Sequence, residues 1–121
     1  MSTPAGIGIC NPDNTISYTV VSDNGWIKDG IGDILIKYYT TENSVRNLIE
    51  NGHFPEGYSP LFDMDVQKAD AEFLFMRQCL LLPRCYVFYT YLWKNGQWYF
   101  RRLDGSGDIP LHEAIATGIE D

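Results

Sequence analysis

The chain is poor in the residues that build most recognisable sites. It has two histidines in 121 residues, and neither His53 nor the His112-Glu113 pair falls in a metal-ligand or metalloprotease spacing. Its three cysteines, Cys10, Cys79 and Cys85, form no CxxC pair and leave an odd count. That argues against a disulfide framework or a zinc site. Cys79 and Cys85 lie in apolar sequence and read as reduced core residues, and no histidine stands in a motif with Cys10. Basic residues are scarce too: nine Lys and Arg face sixteen Asp and Glu, a net charge of −7. Such a chain repels phosphate backbones at long range, which disfavours direct nucleic-acid binding. The simpler reading of the charge is solubility; the other is attraction to basic surfaces, including those of proteins that hold DNA or RNA. No apolar run approaches the roughly 18 residues of a membrane span. The start MSTPAGIG has neither the basic n-region nor the apolar h-region of a secretory signal. A cytoplasmic protein without membrane association is expected.

Weak echoes of known motifs do not survive inspection. Gly6-x-Gly8 and Gly30-x-Gly32 fall short of the phosphate-loop patterns. Asp29 and Asp33 flank the second pair and would repel an anion, so a closely packed helix start is the better reading. Asp63-x-Asp65 reads as helix capping, and Asp104-Gly-Ser-Gly-Asp108 lacks the later glutamate of a calcium loop. Carboxylate pairs are plentiful in so acidic a chain, so none can be singled out as an acid/base couple. No catalytic residue, metal or cofactor is expected, and the protein reads as a non-enzyme.

What is present is strong periodicity. The length suggests a single domain over residues 1–121. Ala5, Ile7 and Ile9 alternate, then Ile16, Tyr18 and Val20, with Asn11-Pro12-Asp13-Asn14 as turn chemistry between two strands. Gly6 and Gly8 share the other face of the first strand, which implies close packing there. Ile31, Ile34, Leu35 and Tyr38 fall on one helical face. A second helix, capped by Thr40 or Thr41 and ended by Gly52, turns Val45, Leu48 and Ile49 inward and pairs Glu42 with Arg46. The segment 53–62, rich in Pro and Gly, reads as a loop or lid. A third helix from Asp63 or Asp65 has an inner stripe of Val66, Ala69, Phe73, Met76 and Leu80, widened by Leu74, Phe75, Cys79 and Leu81 so that its second half is buried on more than one side, and Pro83 ends it. A hairpin and the Gly-rich loop 104–108 follow. A short last helix has Pro110 in its first turn and Gly118 as its stop. The expected fold is α+β: a four-stranded antiparallel sheet of two hairpins with helices packed on one face, in the order ββ-ααα-ββ-α.

The second hairpin, YVFYTYLWKNGQWYFRR over residues 86–102, is the most informative stretch. A two-residue Asn95-Gly96 loop fixes the register: Lys94 faces Gln97, Trp93 faces Trp98, Leu92 faces Tyr99, Tyr91 faces Phe100, Thr90 faces Arg101 and Tyr89 faces Arg102. Alternation then gives two sets. Val87, Tyr89, Tyr91, Trp93, Trp98, Phe100 and Arg102 make the first; Tyr86, Phe88, Thr90, Leu92, Tyr99, Arg101 and Leu103 make the second. Both are too apolar for a solvated face. The expectation is that the second set is core. The first is at least partly a contact surface, because Tyr, Trp and Arg anchor interfaces most often. Its competitor is that cross-strand aromatic pairs stabilise the hairpin with no partner, covered by the loop 53–62. Candidate partner-binding residues are Tyr89, Tyr91, Trp93, Trp98, Phe100, Asp104 and Asp108, with a homodimer through this face as one option. Arg101, Arg102, Arg77 and Arg84 cluster near the hairpin, and arginine beside aromatic rings binds nucleotides by stacking and phosphate pairing; the simpler reading is neutralisation of neighbouring carboxylates.

The first fifty residues resemble a group of small phage and prophage accessory proteins of largely unassigned function. Ile7-Gly8, Asn11 to Asn14, Trp26, Gly30 to Tyr39 and Leu48 to Gly52 carry the likeness, as does YLWKNGQWYF. The sequence departs from that pattern at Asp23-Asn24-Gly25-Trp26, where the group has a His-Trp-Asp-Gly-Tyr turn, and at Asp13-Asn14, where it has Asp-Gly. The resemblance implies a mobile-element origin. Joined to the acidity and the missing catalytic residues, it points first to an anti-defence inhibitor, similar in style to anti-CRISPR proteins, that occludes a basic nucleic-acid-handling host protein. The alternative is a sponge for a cyclic nucleotide or ADP-ribose-type immune signal; a structural or regulatory prophage protein is the third.

Overall fold

The computed structural model describes residues 4–21, 30–51, 66–80, 89–102 and 109–113. Strands β1 (Ala5–Cys10) and β2 (Ile16–Val21) precede helices α1 (Ile31–Tyr38) and α2 (Glu42–Asn51). Strand β3 (Gln67–Ala69), helix α3 (Glu72–Leu80), and strands β4 (Tyr89–Lys94), β5 (Gln97–Arg102) and β6 (Ile109–Pro110) follow. Residues 111–113 are helical. The α+β class is as expected. The sheet is six-stranded and mixed, in the order β3-β2-β1-β4-β5-β6, where four antiparallel strands were expected.

Both hairpins form. The β4–β5 register matches the expected one at all six pairs, from Tyr89↔Arg102 to Lys94↔Gln97, because Asn95 (φ 53°) and Gly96 (φ 78°) take the left-handed conformations that a two-residue loop of twisted strands requires. In β1–β2, Asn14 has a φ of 68°. There Asp13 Oδ1 accepts from both the N–H and the hydroxyl of Thr15, at 3.1 and 2.6 Å, and these bonds hold the Asp13 carboxyl below its ordinary range. The hairpins join through their first strands: β1 runs parallel to β4, pairing Ala5 with Tyr89 through Ile9 with Trp93. This join was not expected from the sequence. Ala5 to Ile9 and Tyr89 to Trp93 are buried at every residue, as central strands covered on both faces must be.

Helices therefore cover both faces of the sheet, not one. On the first, Ile31, Ile34, Leu35 and Tyr39 from α1 and its end, and Val45, Leu48 and Ile49 from α2, pack on Ala5, Ile7, Ile9, Tyr89, Tyr91, Trp93, Trp98 and Phe100. On the second, Phe75 and Cys79 of α3 pack on Ile16, Tyr18, Val20 and Leu92. The glycines make this second contact possible. A Cβ on Gly6 would stand 2.8 Å from Cys79 Sγ, and one on Gly8 would stand 2.9 Å from Ile16 Cγ2 and 3.3 Å from the Phe75 ring.

Local expectations fare unevenly. In α2, Thr41 caps the helix, its Oγ1 accepting the Ser44 N–H at 3.2 Å; Val45, Leu48 and Ile49 are buried; Arg46 pairs with Glu42 at 3.7 Å. In α1, Tyr38 is 47 % exposed and Tyr39, just past the helix, is buried instead. The third helix begins later than expected. Residues 67–69 form β3, which supplies hydrogen-bond partners to β2 through Ile16↔Ala69, so Val66 and Ala69 are not part of a helical stripe. Phe73 points outward, 66 % exposed, and Phe75 and Cys79 take the inner positions. Pro110 belongs to β6, and the helical residues start after it. The expected loop 53–62, the loop 104–108 and the helix stops Gly52, Pro83 and Gly118 lie outside the described residues.

Candidate functional site

The first hairpin set is the principal core. Tyr89, Tyr91, Trp93, Trp98 and Phe100 are between 0 and 6 % exposed, beneath α1 and α2. The expectation that this set is a contact surface, or the face of a homodimer, is corrected: two helices already cover it. The second set was expected to be core and is so in part, with Thr90 and Leu92 buried. Within the first set, Tyr91 and Phe100 stand 5.8 Å apart and Trp93 meets Trp98 edge-on at 5.5 Å, the geometry aromatic quadrupoles prefer. Trp98 Nε1–H donates to the Tyr39 carbonyl at 2.9 Å, which fixes the indole and ties the end of α1 to the hairpin.

Of the four candidate arginines, Arg77 is exposed on α3. Arg101 belongs to the opposite sheet face from the tryptophans. Its guanidinium lies 3.6 Å from Glu72 and donates to Met76 Sδ at 3.2 Å. Lys94 Nζ donates to the same carboxylate at 3.1 and 3.2 Å and stands 5.0 Å above the Tyr99 ring, whose hydroxyl accepts from Gln97 Nε2 at 2.9 Å. The crevice beside these groups measures about 10 Å³, room for one water at most. The structure thus does not bring Arg101 together with the first aromatic set, and Glu72 answers its charge. Arg84, Asp104 and Asp108 lie outside the described residues, as does the side chain of Arg102.

A larger opening lies at the turn end of the second hairpin. Ile36, Tyr39 and Thr40 from α1 and its end, Trp93, Gly96, Gln97 and Trp98 from the hairpin, and His112 line a cleft of about 190 Å³. It lies at the carboxyl end of β4, between the Asn95-Gly96 turn and the end of α1. The register brings in His112: Phe100 pairs with Ile109 and Tyr99 with Pro110, so the next residues run alongside Trp98 and Gln97. The cleft has an apolar wall of Ile36 and indole, and a polar rim of Thr40, Gln97 and an exposed His112. Of these residues only Trp93 and Trp98 were singled out as candidates. The others needed the placement of α1 over the hairpin and of β6 beside β5, neither of which local patterns reveal.

Among the described residues, no three His, Cys, Asp or Glu side chains are grouped to hold a metal ion, and no helix is long and apolar enough to cross a membrane. Comparison with protein-family models, curated proteins and solved structures finds no match.

Proposed function

We propose that this protein is a non-catalytic binding module that sequesters a small planar ligand, with the cleft beside Trp93 and Trp98 holding one ring of nucleobase size. The cleft carries this reading: an apolar wall with a few convergent polar groups is the usual form of a small-molecule site. Its volume sets the ligand class. About 190 Å³ exceeds the roughly 150 Å³ cavity that accepts benzene but falls below the roughly 300 Å³ at which typical ligand pockets begin. One ring enters; a whole cyclic dinucleotide does not, and its remaining parts would rest outside. The Thr40 hydroxyl, the Gln97 carbonyl oxygen and the His112 imidazole offer both donors and acceptors to a ring edge. The test is a thermal-shift screen of nucleobases, nucleosides and cyclic nucleotides. A binder at a hundred times its Kd raises stability by about 2.7 kcal/mol. A flat response across the panel at millimolar concentration rejects the reading.

A second reading rests on the net charge of −7. An anti-defence inhibitor would meet the Lys and Arg of a basic host protein with its carboxylates, Asp104 and Asp108 being the candidates named from the sequence. Its association would weaken steeply with salt; binding indifferent to ionic strength contradicts it.

A further inference from the structure

Asn95 combines chemistry and position in a way the binding reading does not use. The chain contains three Asn-Gly pairs, at 24–25, 51–52 and 95–96. The first lies outside the described residues. Asn51 ends α2 and its Nδ2 donates to Asn47 Oδ1, which holds the amide. Asn95 sits on an exposed turn, and an added Cβ on Gly96 would find nothing within 4 Å. Both residues of the turn are exposed, and glycine puts no side chain beside its own backbone nitrogen.

We propose that Asn95 is a modification site, converted without an enzyme to aspartate and isoaspartate. The Gly96 amide nitrogen loses its proton and bonds to Asn95 Cγ; the Cγ–Nδ2 bond breaks and ammonia leaves. Water then opens the resulting succinimide. Attack at the former side-chain carbonyl yields aspartate, and attack at the backbone carbonyl yields isoaspartate. One water is consumed and one ammonia released. The two products differ in consequence. Aspartate-glycine suits the same two-residue turn, so the fold persists with a new carboxylate beside Gly96. Isoaspartate adds a methylene to the backbone, and the loop no longer matches the Lys94↔Gln97 register. The Trp93–Trp98 pair next to it then loses its frame.

Aging the full chain at mildly alkaline pH, followed by peptide mapping, tests this. The expected result is aspartate and isoaspartate accumulating at 95 in the folded protein, more slowly than in a synthetic peptide of residues 89–102 because the paired turn must open first. Conversion at 51 is expected to lag behind 95. Once separated, the isoaspartyl form is expected to melt below the Asn95→Asp variant. An intact Asn95 after the peptide has fully converted overturns the proposal. Equal rates at 95 and 51 overturn the claim that the turn selects the site.

Discussion

Single residues decide whether the two layers close on the sheet. Gly6 faces Cys79 Sγ so tightly that a methyl group would stand 2.8 Å from it. Gly6→Ala is expected to lower stability by about 1–3 kcal/mol through overpacking. Cys79→Ala in the same chain removes the obstructing sulfur, so the two changes should cost less together than their sum. Denaturant unfolding of the four members of that cycle measures the coupling. Cys79 also leaves a pH signature. Burial pushes its thiol up to about 12 from the ordinary 9.0. The folded state holds it neutral where the unfolded chain ionises, so this contribution is full below pH 9.0 and is lost as pH rises toward about 12. Urea midpoints measured from pH 8 upward should fall, and should fall less in Cys79→Ala. Trp98→Phe keeps most of the ring but leaves the buried Tyr39 carbonyl without its donor. The expected loss is about 1–3 kcal/mol, read by denaturant unfolding.

At the scale of elements, α3 is the sharpest test. Phe73 is exposed and Phe75 is buried against Gly8 and Tyr18, although both belong to one apolar run. Phe75→Ala is expected to cost about 3–5 kcal/mol, and Phe73→Ala to stay within about 0.5 kcal/mol. The reverse order would place the helix in the register its composition suggested. This element also shows where sequence reasoning stops. The hairpin registers were legible because an Asn-Gly loop and strict alternation are local. The α3 register was not: Val66, Ala69, Phe73 and Leu80 make an acceptable stripe on their own, and only the need of β2 for a third strand turns residues 67–69 into β3. The cleft was legible only at Trp93 and Trp98. His112 reaches it through β6, two residues long, and Tyr39 through the end of a helix whose periodicity pointed to Tyr38.

Across the whole molecule, the aromatic wealth of the second hairpin has a structural origin. β4 lies at the centre of a mixed sheet with helices on both faces, so it has no solvent side and needs no polar one. Tyr89, Tyr91, Trp93, Trp98 and Phe100, expected as a contact surface, are core, and the cleft proposed to take a ligand lies at the turn end of the hairpin. The tryptophan indoles that line this cleft report on whether a ligand enters it. In ¹H–¹⁵N spectra, titration with nucleobases and nucleosides should shift the Nε1–H signals of Trp93 and Trp98, with His112→Ala weakening the response and leaving the fold intact. Indole signals that stay fixed while a ligand binds elsewhere, or with every ligand at saturation, rule out this cleft as the binding site.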